Sequence, residues 1–163
     1  MSASCQHHDH SSGLSGTGLE DALSAAEARC AHSGERMTAP RRRVLELLLE
    51  AGAPVKAYDL ISGFGADGQA AKPPTVYRAL EFLENQGLVH RIASISAYVA
   101  CRSAEQDHAA AFLICDCCGA TAEISPIGNT ALAKAADEQG FRLARTTIEA
   151  HGLCEACAGS SHA

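Results

Sequence analysis

Apolar residues recur at helical spacing through the first half of the chain. Three segments place them every three or four positions and end at a glycine, a pattern that predicts helices; they begin at Leu19, Thr38 and Pro73. A shorter helix is predicted between the last two, over PVKAYDLISGFG. The side chains expected to face the core in the helices that begin at Thr38 and Pro73 are Val44, Leu45, Leu48, Leu49, Val76, Leu80 and Leu83.

The period changes after Gly87 to that of β-strands. Two short runs of β-branched and aromatic residues, LVHRI and SAYVAC, flank a turn near Ser94 and predict a hairpin. Three helices followed by a hairpin are typical of a winged helix-turn-helix, whose second motif helix enters the major groove of DNA. The pattern therefore predicts a DNA-binding domain over residues 19–101, after a Ser/Gly/His-rich tail over residues 1–18 that is expected to be disordered.

The second half predicts a β-β-α-β order. AAAFLIC and ATAEIS are strand-like, a helix is expected from Ser125-Pro126 to Gly140, and FRLARTTIEA alternates as a strand. A polar link over residues 102–108 is the expected hinge to this domain, which spans residues 109–163. The predicted fold class is α+β, with a winged helix hinged to a small α/β domain.

Charge is divided unevenly along the chain. The net charge is −6, but residues 36–91 hold eight Lys or Arg against six Asp or Glu, which gives +2 there and −8 elsewhere. This asymmetry indicates two domains with different tasks. The sequence contains no apolar run of the roughly 18 residues that a membrane helix needs, and its N-terminus lacks signal-peptide features. We therefore expect no membrane association and a cytoplasmic location, where clustered cysteines indicate metal or catalysis more often than disulfides.

Two Cys-x-x-Cys pairs carry the most specific chemistry: Cys115 with Cys118, and Cys154 with Cys157. Each such turn offers two thiolates, and two turns complete the tetrahedron of a structural zinc. Cys117 lies inside the first turn and is expected to point away. A thioredoxin-like redox pair is one alternative, but it should begin a helix, whereas a strand is predicted after the first pair. An iron–sulfur cluster is the other alternative.

Several of these segments resemble the Fur superfamily of metal-responsive repressors, and within it the zinc uptake regulator (Zur) branch. The matching segments are AKPPTVYRALEFLENQGLVHRI, SAYVAC, FLICDCCGA and IEAHGLCEAC, and the resemblance runs from Leu19 to Ala158. It implies that the second domain dimerises the chain. It further implies a homodimer that binds double-stranded operator DNA when loaded with zinc and blocks transcription of zinc-import genes. No small-molecule substrate other than zinc is expected.

A sensing site should draw ligands from both domains, so that the metal fixes their geometry. Four residues around the hinge offer imidazole, thiolate, imidazole and carboxylate donors, and they match the regulatory site that the resemblance implies: His90, Cys101, His108 and Glu123. The thiolate of Cys101 favours zinc over iron or manganese, which prefer harder ligands. We therefore expect two zinc ions per subunit, one structural and one regulatory.

The resemblance also implies that Tyr58 and Arg78 contact DNA. Arginine suits this role because its planar fork pairs with guanine O6 and N7. Near the start of the recognition helix, Thr75 and Tyr77 suit phosphate contacts, and Lys72 supplies positive charge. The run Arg41–Arg43 either adds positive charge toward DNA or forms a solvated helix face.

Two other functions were weighed against this prediction. An iron or peroxide sensor of the same superfamily is disfavoured by the thiolate in the proposed ligand set. A zinc-dependent enzyme needs an open coordination position, which a site filled by four protein ligands does not leave. We therefore expect that the chain is not an enzyme.

Overall fold

The structure is a computed structural model that describes residues 13–65, 70–101, 110–124, 129–144 and 146–159. The described residues form two compact units, one up to residue 101 and one from residue 110. Most of the predicted tail and all of the predicted hinge lie outside them. Within these ranges, no helix is long and apolar enough to cross a membrane.

The first unit contains four helices and a small sheet, as the sequence predicts. Its elements in chain order are α1 (Gly16–His32), α2 (Ala39–Ala51), β1 (Val55–Lys56), α3 (Ala57–Gly63), α4 (Pro73–Asn85), β2 (Val89–Ile92) and β3 (Ala97–Ala100). The strands are antiparallel in the order β1-β3-β2, so the predicted hairpin of β2 and β3 is confirmed. Strand β1 was not predicted, because two residues are too few to show a period.

The ends of α2 follow the chemistry of its flanking residues. Thr38 precedes the helix in an extended conformation, and Pro40 lies in the first turn, where its missing N–H costs no hydrogen bond. Gly52 ends the helix at a φ of 59°, a left-handed conformation that favours glycine, and its N–H donates to the carbonyl of Leu48 at 3.1 Å.

The core of the first unit lies between α1, α2, α4 and the sheet. The predicted side chains of α4 (Val76, Leu80 and Leu83) are almost completely buried. Three of the four predicted side chains of α2 are buried, and the fourth, Leu49, is partly buried against the same core. This packing orients α4 so that its opposite face is exposed.

The second unit has the predicted β-β-α-β order followed by a short helix. Its elements are β4 (Ala110–Cys115), β5 (Thr121–Ile124), α5 (Asn129–Glu138), β6 (Thr147–Gly152) and α6 (Glu155–Ala158). Strand β4 is central, antiparallel to β5 and parallel to β6. The last strand begins at Thr147 and not at Phe141, because its pairing starts where Ala110 begins β4. The prediction was wrong for Phe141–Ala144, although these residues alternate in the sequence.

Candidate metal centre and nucleic-acid surface

The first cysteine pair lies in a tight turn between β4 and β5. Strand β4 ends at Cys115, whose N–H donates to the carbonyl of Ala120 at 2.8 Å. The N–H of Gly119 returns to the carbonyl of Cys115 at 2.9 Å, and Gly119 has a φ of 75°. A side chain would be strained in that left-handed conformation. Glycine therefore allows the turn that brings Cys118 back toward Cys115.

The second pair reaches the same place because β6 runs parallel to β4. The pairing places Gly152, the last residue of β6, beside Cys115, the last residue of β4. Cys154 follows Gly152 by two residues and therefore lies near the first turn. Cys154 then caps α6, and the N–H of Ala158 donates to its carbonyl at 2.8 Å. This single helical turn places the buried Cys157 on the same side as Cys154.

The four sulfurs fit a tetrahedral zinc ion. The sulfurs of Cys115, Cys118, Cys154 and Cys157 all lie within 4.8 Å of one another. The Cys118 and Cys154 sulfurs are 3.8 Å apart. A tetrahedron with Zn–S bonds of about 2.3 Å has an edge of about 3.8 Å, the same separation. A disulfide would need about 2.05 Å, so this pair is not bridged.

The protein prepares one of these thiols as a thiolate. Backbone N–H groups, first that of Cys118 and then that of Cys154, lower the pKa of Cys115 to about 6. The Cys154 N–H lies 3.3 Å from the Cys115 sulfur. Burial, and then the neighbouring sulfur of Cys154, raise the pKa of Cys157. A bound cation would favour the thiolate form of both.

The geometry separates the metal hypothesis from the redox one. The first pair is followed by strand β5, as predicted, but the second pair begins the short helix α6, which was not predicted. A two-thiol redox motif does not require the other pair, however, whereas a metal site requires all four sulfurs to converge, as they do. Cys117 is exposed and lies outside this group of sulfurs.

Two of the predicted regulatory ligands are close together in the first unit. His90 lies opposite Val99 in the β2–β3 hairpin, and Cys101 follows Val99 by two residues, so both side chains share one face. A ring nitrogen of His90 and the sulfur of Cys101 lie within 4.8 Å of each other. The N–H of Cys101 donates to the carbonyl of Leu88 at 2.9 Å, which holds it beside the strand. His90 is buried, and Cys101 is half-buried.

The other two predicted ligands are placed differently. Glu123 is half-buried on β5 of the second unit, where it lies opposite Phe112 of β4. His108 lies outside the described residues. The four-residue regulatory site therefore stays a prediction.

The residues predicted to contact DNA lie on the outer surface of α3 and α4. Lys72, Tyr77 and Arg78 are exposed, and Thr75 is half-buried near the start of α4. Tyr58 on α3 is 75% exposed, an unusual state for an aromatic side chain in a helix that is otherwise anchored to a core. Two aromatic rings and two cations on one helical pair form a surface suited to phosphate and base contacts.

The arginine run on α2 has partners within its own unit. The guanidinium of Arg41 lies 3.4 Å from the centroid of the Phe82 ring. Arg42 pairs with Glu20 and Glu27 of α1, at 2.8 and 2.9 Å. Arg43 pairs with Glu46 at 2.6 Å. These contacts favour a structural role for the run over a direct role in DNA binding.

A side-chain pair near the cysteines was not predicted. His151 on β6 lies 2.9 Å from Asp116, measured from Nδ1 to Oδ1. Nothing in the sequence pattern indicated that Asp116 and His151 would pair. The two residues come together because β4 and β6 pair in parallel, and this pairing is known only from the structure.

Comparisons with known proteins identify the family to which the chain is similar. The model of the ferric uptake regulator family matches residues 32–157. The zinc uptake regulation protein of Escherichia coli (strain K12) is 42% identical over 147 residues, which cover 86% of this chain and 84% of that protein. A zinc uptake regulator solved in complex with zinc and DNA is 41% identical, with a TM-score of 0.79, over 88% of this chain and 97% of that one. The structure of holo XcZur is also 41% identical, with a TM-score of 0.73, over 85% and 97%.

Proposed function

Because the chain belongs to the ferric uptake regulator family, we propose that it is a zinc-dependent repressor of zinc-uptake genes. It binds double-stranded operator DNA as a zinc-loaded homodimer in the cytoplasm and releases it when zinc is scarce. The observation that carries this proposal is the likeness to a regulator solved with both zinc and DNA. A winged helix with an exposed reading surface and a four-sulfur group in the same chain support it physically.

A structural zinc ion is held by Cys115, Cys118, Cys154 and Cys157. The separation of 3.8 Å between two of the sulfurs supports this assignment, as does the convergence of all four. Four protein ligands leave no position for water or substrate, which is typical of a structural and not a catalytic site. When bound, zinc supplies folding free energy to the second unit by joining its two cysteine turns.

A second zinc ion, the regulatory one, takes His90 and Cys101 from the first unit and His108 and Glu123 from the remainder of the chain. This gives two zinc ions per subunit. The shared face and close donor atoms of His90 and Cys101 support the proposal. A thiolate in the set favours zinc over the metals that prefer oxygen and nitrogen ligands alone.

The second unit forms the homodimer. Leu113 of β4 is 46% exposed, and alternation along β4 places it on the same face as Ala111, which pairs with the exposed Ile148 of β6. On α5, Leu132 is 44% exposed, and none of the described side chains of this helix is buried. Apolar surface of this kind marks an interface, and a second copy of the chain is the partner that would cover it symmetrically.

DNA is read by α4. Arg78 supplies base contacts, and Tyr58, Lys72, Thr75 and Tyr77 contact the backbone or base edges. These roles are supported by the position of the residues, which lie at the surface of α3 and α4, while the opposite face of α4 is buried. Zinc acts by stabilising the geometry in which two recognition helices fit successive major grooves, since a ligand can shift an equilibrium only through its differential affinity.

Operator binding measured against buffered free zinc, together with metal content, tests the function. We expect binding to a zinc-uptake operator to rise with free zinc and to be absent for random DNA. Binding that responds to iron and not to zinc would favour the iron-sensor alternative. Zinc-loaded protein that ignored the operator and turned over a substrate would favour the enzyme.

A further inference from the structure

A side-chain hydrogen bond joins the two cysteine turns of the second unit. Asp116 directly follows Cys115 in the first turn. His151 lies on β6, shortly before the second turn. Nδ1 of His151 lies 2.9 Å from Oδ1 of Asp116. A carboxylate can only accept, so the Nδ1–H of His151 donates to it.

Two further hydrogen bonds connect the same two turns. The backbone N–H of Asp116 donates to the carbonyl of Gly152 at 2.8 Å. The backbone N–H of Cys154 donates to the sulfur of Cys115 at 3.3 Å. Asp116 is therefore bound to the end of β6 through both its backbone and its side chain. These three hydrogen bonds form without a metal ion. They connect the two turns that carry the four sulfurs.

We propose that His151 and Asp116 form a clasp that positions the two Cys-x-x-Cys turns for metal. Neither residue of the clasp is a metal ligand; the clasp holds the two turns at the distance that coordination requires. Less conformational freedom is therefore lost when the ion binds, and the sulfurs separate less readily while the ion is bound. This inference rests on the proposed zinc at the four cysteines and assigns a role to two residues outside that ligand set.

The exposure of the pair limits the size of the effect. The side chains of His151 and Asp116 are 38% and 60% exposed. Ion pairs and hydrogen bonds at this exposure contribute little, so loss of the clasp should accelerate metal release by about two- to fivefold. A ligand substitution would instead abolish the site.

The test follows the release of cobalt from the full-length protein to a chelator in excess. A Cys101→Ser background makes the thiolate-to-cobalt absorption report the four-cysteine site. Asp116→Ala and His151→Gln should each release cobalt about two- to fivefold faster. Asp116→Asn, which keeps an acceptor oxygen, should stay close to the unsubstituted rate. Glu138→Gln is the matched control, since it breaks the exposed Lys134–Glu138 pair (4.0 Å) on α5.

A double variant distinguishes a clasp from two separate effects. If the residues act as one unit, Asp116→Ala combined with His151→Gln should release cobalt no faster than the more severe single variant. Single variants with unsubstituted release rates would overturn the clasp, and so would a double variant whose acceleration equals the product of the two singles. Absence of thiolate-to-cobalt absorption in the parent protein would instead overturn the four-cysteine site itself, and the clasp with it.

Discussion

Cys115 lies directly beside Gly152 in the parallel pairing of β4 and β6. This register brings the second cysteine turn to the first, although the two are far apart in the sequence. A shift by one residue would move the β6 side chains to the opposite face of the sheet. The proposed metal centre thus depends on correct strand pairing as much as on the cysteines.

Replacement of a metal-binding cysteine should unfold the second unit. We expect Cys115→Ser or Cys154→Ser to lose one zinc per subunit and to abolish dimerisation, because structural zinc contributes about 10 kcal/mol or more to folding of small modules. Metal content, circular dichroism and size-exclusion chromatography check this. Cys117→Ser is the control and should keep both zinc and dimer. A stable dimer from Cys154→Ser would show that the ligands are assigned wrongly.

Cys101→Ser should separate sensing from folding. The four-cysteine zinc and the dimer should persist, while operator binding should be lost or should require far more free zinc, because the soft ligand of the regulatory site is gone. Fluorescence anisotropy at a series of buffered zinc concentrations measures the shift. An unchanged zinc midpoint would remove Cys101 from the site.

Arg78→Ala should weaken operator recognition at every zinc concentration while leaving zinc binding without DNA almost unchanged. Loss of a base-reading arginine costs about 1–3 kcal/mol of discrimination at its base pair. Competition between operator and random DNA measures that loss. Lys134→Ala, on α5, removes the same charge away from the reading surface and should bind the operator normally. Discrimination in Arg78→Ala as strong as in the unsubstituted protein would contradict the assignment.

Glu123→Ala should have the complementary effect. The reading surface stays intact, so full operator binding should be reached, but only at higher free zinc, because one regulatory ligand is missing. The same zinc titration checks this prediction. A response identical to that of the unsubstituted protein would exclude Glu123 as a ligand.

Leu113→Glu should dissociate the proposed homodimer, because it places a charge at the exposed apolar position of β4. Light scattering should then give the mass of one subunit, with one zinc still held by the cysteines. Lys56→Glu, a charge change at an exposed position of β1 in the first unit, serves as the control and should remain dimeric. A dimeric Leu113→Glu would place the interface elsewhere.

The elements that could be predicted from sequence are those set by local patterns. Val76, Leu80 and Leu83 repeat at helical spacing, and all three are buried as expected. The start of β6 could not be predicted, because Phe141 continues an alternating pattern and only the length of β4 limits the pairing. Strand pairing involves two segments that are distant in the sequence. The periodicity of one segment therefore does not show where its pairing with the other begins.

The candidate site divides in the same way. The spacing of the cysteines was enough to predict which four converge, because a two-residue gap lets both thiolates of a pair reach one ion. The clasp of His151 and Asp116 and the internal partners of Arg41–Arg43 were not predictable from composition. Each requires a partner in another element, and exposed charges in a sequence look alike whether or not they find one.

The four-sulfur group has a consequence for the order in which the two proposed metals bind. Cys118 and Cys154 are separated by 36 positions, so a metal that joins them closes a loop and removes freedom from the unfolded chain. A regulator built this way would lose its dimer if that metal left first. The proposed four-cysteine zinc must therefore be retained at zinc concentrations at which the proposed regulatory site is already empty. When zinc becomes scarce, the protein then loses its DNA-binding geometry before it loses its fold. The protein released from DNA stays folded and can bind zinc and the operator again when the zinc concentration rises.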